Sequence, residues 1–209
     1  MKKKHQTRLS NYPQVVLKYI LLDVHGVLTD GNERKRFLCK MEKIYNMNYD
    51  QHNSLWLSHI HDLDIGEEKA SDFIKVVNKT FNTLISVKDY YVMFLEEIRI
   101  NRRLIKKLRD TGFKVCIVSD SLPQISTGLS KIFGQDFRKY RKFYSFHLGA
   151  IKSEGMLKKV LIKLESTSPE KYLFIDDNLK NVEVAKQMGI NAILFRTNKE
   201  LFNELKKYN

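Results

Sequence analysis

Apolar residues occur in short continuous runs, and each of the longest runs ends in polar or acidic residues. Four such runs lie in VVLKYILLDVHGVLTDG (15–31), FKVCIVSDS (113–121), KYLFIDDN (171–178) and INAILF (190–195). Continuous apolar runs of this length, bounded by glycine or polar residues, are typical of strands buried on both faces of a parallel sheet. We therefore predict a strand at each run and a shorter one at 143–146.

Helical spacing of apolar residues fills the segments between the later runs. We predict these helices at 101–110, 123–133, 153–164, 179–188 and from 198 to the end of the sequence. Strands that alternate with helices favour an α/β fold with a doubly wound parallel sheet.

The segment from 43 to 100 differs, because its apolar residues recur at helical spacing with no strand between them. Leu55, Ile60 and Leu63 share one face of a predicted helix. An insertion of this length exceeds an ordinary connection between a strand and a helix. We predict a helical cap domain at 41–100 and a core domain at 1–40 and 101–209, with the polar, basic stretch 32–40 as a linker.

The composition is typical of a globular protein, since 43% of the 209 residues are hydrophobic and 29% are charged. No apolar run approaches the ~20 residues that span a bilayer. The basic arm 1–14 has no signal-type apolar segment after it. We therefore expect a cytoplasmic protein with no membrane partner.

A formal net charge of +13 favours anionic partners. Among these we expect a small phosphorylated substrate first. Nucleic acid is less favoured, because the Lys and Arg residues are scattered and no nucleic-acid motif is present.

Polar residues of complementary chemistry end three of the predicted strands. Asp23 follows the first strand, Ser119 ends the second and the pair Asp176-Asp177 ends the third, while Lys152 precedes a nearby helix. The carboxyl ends of parallel strands lie at one edge of a sheet, so these side chains can converge there. Facing carboxylates need a hard cation between them, and Mg²⁺ prefers such oxygen ligands. This combination suits phosphoryl transfer through an aspartyl-phosphate.

Four segments also resemble the ordered motifs of a known family. LLDVHGVLTDG, CIVSDS, Lys152 and FIDDNLKN are similar to the motifs of the haloacid dehalogenase-like (HAD) superfamily, most of whose members are Mg²⁺-dependent phosphatases. The resemblance spans about residues 18–196. The insertion between the first two motifs resembles the helical cap of the subgroup that includes small sugar-phosphate phosphatases.

The resemblance implies a role for each motif residue, with Asp23 as the nucleophile. The implied catalytic residues are Asp23, His25, Ser119 and Lys152. The implied phosphate-binding residues are Ser119, Asp120 and Lys152, although Asp120 is equally suited to orienting its own loop. The implied Mg²⁺ ligands are Asp23, the main-chain carbonyl of His25, Asp176 and Asp177.

His25 departs from the pattern, because phosphatases of this family carry a second Asp there that protonates the leaving alcohol and activates water. A histidine titrates near neutrality and can act as acid and then as base. We predict a competent phosphatase in which His25 takes this role. The alternative is an impaired or silent HAD-like domain that acts as a binding protein.

Two further enzyme classes of the family also lack the second Asp. Haloacid dehalogenases proper also lack the paired acidic residues that this chain has at Asp176 and Asp177. Phosphonatases need a lysine in the cap, for which Lys69, Lys75 and Lys79 are the candidates.

Three histidines of the insertion, His52, His59 and His61, lie with Asp62 at a spacing that partly resembles a metal site. The segment is helical and no cysteine accompanies them. We therefore expect a polar cluster rather than a set of ligands.

Overall fold

The computed structural model describes residues 17–110 and 112–208. Within these residues the strands are β1 (Tyr19–Leu22), β2 (Val115–Ser119), β3 (Arg141–Tyr144), β4 (Tyr172–Asp176) and β5 (Asn191–Leu194). They form one parallel sheet in the order β3-β2-β1-β4-β5, so the chain winds outward from β1 in both directions. The predicted doubly wound parallel sheet is confirmed. The N-terminal arm predicted at 1–14 lies outside the described residues.

The central strands are buried on both faces. Ile20 and Leu22 of β1 belong to one buried apolar cluster, and Leu21 between them belongs to a second. Every residue of β2 and β4 is buried. Strands that are covered on both faces consist of continuous apolar runs, and for this reason they could be predicted from the sequence.

Four helices follow β1 before the chain returns to the sheet. They are α1 (Glu33–Tyr45), α2 (Tyr49–Ile65), α3 (Ala70–Phe81) and α4 (Val87–Glu96). Aromatic rings hold them together: Phe37 meets Tyr90 edge to face with ring centroids 4.9 Å apart, and Trp56 stacks on Phe94 at 5.5 Å. Such pairs contribute about 0.5–1.5 kcal/mol each beyond the area they bury.

The linker predicted at 32–40 is wrong, because these residues form the first two turns of α1. Phe37, Leu38 and Met41 of this helix are fully buried. Because these few apolar residues are surrounded by charged ones in the sequence, the narrow apolar face of the helix was not recognised. Since α1 crosses the predicted boundary at residue 40 and packs on the aromatic rings, we propose that the insertion begins at α1.

The two chain segments that join the insertion to the sheet run side by side in opposite directions. Thr29 and Ile100 form an isolated antiparallel bridge. The amide of Asp30 donates to the carbonyl of Arg99 at 3.1 Å, and that of Asn101 to the carbonyl of Leu28 at 2.8 Å. This junction ties the insertion to the loop that follows β1.

The remaining helices flank the sheet. They are α5 (Arg102–Asp110), α6 (Pro123–Ile132), α7 (Gln135–Arg138), α8 (Ser145–Leu148), α9 (Met156–Lys163), α10 (Leu179–Gln187) and α11 (Asn198–Leu205), with 3₁₀ turns at Lys152–Glu154, Pro169–Lys171 and Lys206–Tyr208. The strand predicted at 143–146 begins two residues earlier, at Arg141, and ends at Tyr144, because Ser145 already starts α8. No helix of the described residues is long and apolar enough to cross a bilayer.

Candidate active site

Three carboxylates meet at the carboxyl edge of the sheet. Asp23 directly follows β1, Asp176 ends β4, and Asp177 is the next residue. One oxygen of each lies within 4.8 Å of one oxygen of the others. Asp23 and Asp176 are buried, whereas Asp177 is exposed. Among the described residues, this is the one group of three or more His, Cys, Asp or Glu side chains arranged to share a metal ion.

Lys152 reaches this group from the 3₁₀ turn that it begins. Its Nζ lies 2.6 Å from Oδ1 of Asp23 and 2.7 Å from Oδ2 of Asp176. Lys152 is only 3% exposed, so its ammonium is bound between two buried carboxylates. Burial lowers the pKa of Lys152, but the charges of Asp23 and Asp176 outweigh it and hold the pKa above its ordinary value.

The group is short of positive charge. Burial raises the pKa of Asp23 despite the opposing charge of Lys152, and the charge of Asp176 raises it further. Burial and the charge of Asp176 also raise the pKa of Asp177. Lys152 pairs with two of the three carboxylates, so the site favours a further cation with a preference for oxygen ligands.

Asp176 is fixed by its own loop. Its Oδ1 accepts the amide of Asn178 at 2.8 Å, and Nδ2 of Asn181 lies 3.2 Å from both of its oxygens. These bonds leave the carboxylate no freedom to turn. They explain why the strand ends in an acidic pair followed by asparagines.

Gly26 gives Asp177 its space. The residue has φ +80°, and a Cβ built on it would lie 2.0 Å from Oδ2 of Asp177. A side chain at this position would therefore displace the third carboxylate. Only glycine satisfies both the positive φ and the close approach.

Comparison with known proteins identifies the family. A family model of haloacid dehalogenase-like hydrolases matches residues 17–189. The chain belongs to the haloacid dehalogenase-like hydrolase family. The resemblance inferred from the four sequence motifs is thereby confirmed.

Two curated relatives match over part of the chain. Bifunctional epoxide hydrolase 2 of the rat is 28% identical over an alignment of 135 residues, gaps included, that covers 58% of this chain and 23% of that protein. The mouse protein of the same name matches to the same extent. The chain thus spans less than a quarter of the length of these relatives.

Solved HAD structures match over nearly the whole chain. A HAD-family enzyme of Bacteroides thetaiotaomicron covers 90% of this chain and 98% of its own, with a TM-score of 0.72 and 20% identity. A HAD-like hydrolase of Porphyromonas gingivalis covers 92% and 97%, with a TM-score of 0.74 and 17% identity. At these identities the likeness shows a shared fold.

In this HAD-family chain, His25 pairs with a residue that the motifs did not indicate. The Nδ1–H of His25 donates to Oε1 of Glu33 at 2.5 Å, and Oγ1 of Thr29 donates to the same oxygen at 3.2 Å. Burial lowers the pKa of His25, but the hydrogen bond and the charge of Glu33 outweigh it and raise the pKa overall. The His25 side chain is 27% exposed, so its other ring nitrogen remains available to a ligand.

Ser119 and Asp120 lie at the end of β2, on the same edge of the sheet. Ser119 is fully buried, and its hydroxyl lies 3.3 Å from the carbonyl of Asp120. Oδ1 of Asp120 accepts the amide of Lys152 at 2.9 Å, so Asp120 positions the turn that carries the lysine. Every residue in the predicted catalytic set therefore lies at this edge.

A cavity of about 270 Å³ opens beside His25, between the insertion and the loops after β1 and β2. Its lining combines aromatic and aliphatic side chains of the insertion with carboxylates. The lining residues include Trp56, Ile60, Phe94, Glu33, Asp64 and Asp120. A mostly apolar pocket with a few polar groups next to reactive residues is typical of a substrate site.

The three histidines of the insertion have separate partners. Nε2 of His52 lies 2.7 Å from the hydroxyl of Tyr90, and Nδ1 of His59 lies 2.8 Å from Oε2 of Glu68. His61 contacts Asp62 at 2.9 Å and reaches Glu154 of the core at 3.0 Å. They form no shared group of metal ligands among the described residues.

Sequence reasoning missed Glu33 and Asp64. Glu33 fell within the supposed linker, although an acidic residue just after Asn32 is a common signal of a helix start. Asp64 sits near the end of α2 beside other acidic residues, and no motif distinguishes it.

Proposed function

We propose that the protein is a Mg²⁺-dependent phosphatase that removes phosphate from a small phosphorylated metabolite through an aspartyl-phosphate on Asp23. The observation that carries the proposal is the meeting of the carboxylates of Asp23, Asp176 and Asp177, two of which, Asp23 and Asp176, also pair with the ammonium of Lys152. The shared fold adds support, since the Bacteroides enzyme was crystallised with magnesium and inorganic phosphate.

The donor set fits magnesium. Asp23, Asp177 and the main-chain carbonyl of His25 would hold the ion, with Asp176 beside them. Mg²⁺ bound there would neutralise the oxygens of the phosphoryl group and lower the pKa values of the carboxylates. Burial and the neighbouring carboxylate Asp176 raise the pKa values of Asp23 and Asp177, so their charged forms are costly without a further cation, and this is the structural reason to expect an ion.

The chain's own residues supply the rest of the chemistry. A carboxylate oxygen of Asp23 attacks phosphorus, and the bond from phosphorus to the ester oxygen breaks. His25 gives its proton to the departing alcohol oxygen. Lys152 keeps Asp23 oriented and offers positive charge to the phosphoryl oxygens, and the Ser119 hydroxyl provides a hydrogen-bond donor.

The second half of the reaction restores the enzyme. His25, now neutral, takes a proton from water as the water oxygen attacks phosphorus. The bond between phosphorus and the Asp23 oxygen breaks, and inorganic phosphate leaves. Glu33 orients the His25 ring and stabilises its charged form throughout.

The helical insertion would act as the cap of this site. It supplies Trp56, Ile60 and Phe94 to the cavity beside His25, and His61 links it to Glu154 of the core. We infer that the insertion selects the alcohol part of the substrate. This role does not depend on which alcohol it is.

Structural details favour the phosphatase over the other enzyme classes. Paired acidic residues at Asp176 and Asp177 do not suit a metal-independent dehalogenase. Lys69, Lys75 and Lys79 are exposed, and none of them lines the cavity, so the lysine required by a phosphonatase is not supplied there.

The test is phosphate release from a panel of phosphorylated sugars, nucleotides and an aryl phosphate, with and without Mg²⁺. We expect Mg²⁺-dependent release from the wild type and none from Asp23→Asn. The control variant Asp62→Asn, on the outer surface of α2, should retain full activity. Release that persists in Asp23→Asn would rule out the aspartyl-phosphate.

A silent binding domain is the second candidate, favoured by His25 in place of the usual Asp. It would show Mg²⁺ binding by calorimetry but no turnover across the panel. His25→Asp separates the two cases. Activity that appears only in this variant would identify the natural chain as a stalled relative.

A further inference from the structure

Asp64 is a carboxylate near the active site that has no role in the proposed reaction. It lies near the end of α2 and lines the cavity beside His25. No side chain or backbone group among the described residues donates a hydrogen bond to it. Its neighbour Asp62, by contrast, is exposed and bonded to His61. Asp64 is half-buried, and a carboxylate that is partly removed from water without a donor favours a ligand that supplies one.

A second carboxylate faces the same cavity. Oδ1 of Asp120 accepts a hydrogen bond from the amide of Lys152, and no described residue donates to its Oδ2. Burial raises the pKa of Asp64 to about 7, and the charge of Asp120 adds to the rise. Because both carboxylates line the same cavity, their negative charges repel one another across it.

The cations near the cavity are already engaged or lie at its rim. Lys152 is held by Asp23 and Asp176, and His25 is paired with Glu33. Arg34 also lines the cavity, but it is exposed and forms no ion pair with Asp64 or Asp120. The positive charge that these two carboxylates need is not supplied by the described part of the chain.

The cavity also lies where the leaving group of a phosphate ester would be. His25, the proposed proton donor to the ester oxygen, forms part of its wall. The alcohol that receives this proton must extend from the phosphate past His25 into the cavity. Its far end would then meet Asp64 and Asp120 between the apolar walls of Trp56 and Phe94.

We propose that this cavity binds the alcohol part of the substrate, and that Asp64 and Asp120 select an alcohol that carries a primary ammonium group. The proposal rests on the phosphatase function proposed above. An ammonium group donates up to three hydrogen bonds and would bridge the two carboxylates. A hydroxyl in place of the ammonium group carries no charge, so the carboxylates of Asp64 and Asp120 would still repel one another.

The experiment compares esters that differ only in this group. The first pair is 2-aminoethyl phosphate and 2-hydroxyethyl phosphate. The second pair is glucosamine 6-phosphate and glucose 6-phosphate, in which the amine is likewise replaced by a hydroxyl, here on a six-carbon sugar. We expect the wild type to prefer an amine by about tenfold or more in kcat/KM in at least one pair, the effect of a hydrogen bond to a charged group.

Asp64→Asn should remove most of this preference, and Asp62→Asn should keep it. The two variants make the same charge change on the same helix, but only Asp64 lines the cavity. Because Asp64 has no protein donor to lose, its variant should unfold at the wild-type temperature or above. Equal kcat/KM values within both pairs, or an equal loss for amine and hydroxyl esters in Asp64→Asn, would overturn the proposal.

Binding separates this proposal from the phosphatase function. The four esters are titrated calorimetrically into Asp23→Asn in the presence of Mg²⁺, and into the same variant with Asp64→Asn added. Tighter binding of the amine that depends on Asp64 supports the cavity's selectivity even if the wild type shows no turnover. Equal affinities, or no binding of any ester, would refute it.

Discussion

The Nδ1 atom of His25 lies 2.5 Å from Oε1 of Glu33, so the unusual histidine of the first motif is held by a carboxylate from the first turn of α1. The two residues form one unit. We expect Glu33→Gln to lower kcat by about ten- to a hundredfold, because the ring loses both its orientation and the charge that stabilises its protonated form. Steady-state phosphate release measures this loss.

A double-variant cycle tests whether the two residues act together. His25→Ala and Glu33→Gln combined should lose scarcely more activity than His25→Ala alone, since Glu33 acts through the ring. Glu97→Gln, which removes another carboxylate of the insertion, is the control and should retain activity. Additive losses in the double variant would show that Glu33 acts independently of His25.

Lys152 lies between two buried carboxylates, and its removal should affect stability as well as activity. In Lys152→Met we expect the free energy of unfolding to fall by about 3–5 kcal/mol without Mg²⁺, because Asp23 and Asp176 lose their buried counter-charge. Urea denaturation measures the loss. Mg²⁺ should restore more stability to this variant than to the wild type, as it supplies positive charge to the same oxygens.

Lys158→Met is the matched control for that prediction. It makes the same substitution at an exposed lysine a few residues further along. Its stability should stay within about 0.5 kcal/mol of the wild type. If Lys152→Met is equally stable, the buried ion pairs do not hold the site together.

Gly26→Ala should damage the metal site more than the fold. The added Cβ would lie 2.0 Å from Asp177 Oδ2, so the carboxylate must move. We expect Mg²⁺ affinity, measured by calorimetry, to fall at least tenfold. Gly149→Ala is the control, because Gly149 is in the left-handed region with a positive φ of +57° but has nothing within 4 Å of its Cβ position. Both variants carry the backbone strain of about 1–2 kcal/mol, and only Gly26→Ala should weaken Mg²⁺ binding.

His52 should make the stability depend on pH. It is fully buried in the insertion, and burial lowers its pKa to about 4. The unfolded chain, in which the pKa is about 6.5, binds a proton that the folded chain lacks between these values. The stability from neutral His52 is therefore complete above about pH 6.5 and is lost as the pH falls towards 4, by about 3 kcal/mol in all.

Urea midpoints measured from pH 4 to 7 test this effect. His52→Phe should flatten the dependence on pH, although it also leaves the hydroxyl of Tyr90 without its partner. Tyr90→Phe removes the same hydrogen bond and keeps the titrating ring, so its curve should retain the slope of the wild type. Parallel curves for wild type and His52→Phe would assign the slope to other groups.

The strands and their polar ends were the most predictable part of the molecule. β1, β2 and β4 are buried on both faces, so each appears in the sequence as a continuous apolar run that stops at the carboxyl edge. Parallel pairing then brings Asp23, Ser119 and Asp176 together at one edge of the sheet, however far apart they lie in the sequence.

The partners of the site were less predictable, because they depend on how helices pack. Glu33 reaches His25 only because α1 starts immediately after the loop, and that helix has too few apolar residues to be recognised among its charges. Asp64 faces the cavity because the second half of α2 lies opposite the loop after β2, a relation between elements that no local pattern records.

The position of β1 at the centre of the sheet has a consequence for how the chain folds as it is synthesised. β1 leaves the ribosome before either of its partners, which begin at Val115 and Tyr172. In the meantime α1 to α4 are complete and can assemble around Phe37 and Trp56. We therefore expect the insertion to fold first and the nucleophile's strand to remain unpaired, exposed to chaperones, until β2 has been made.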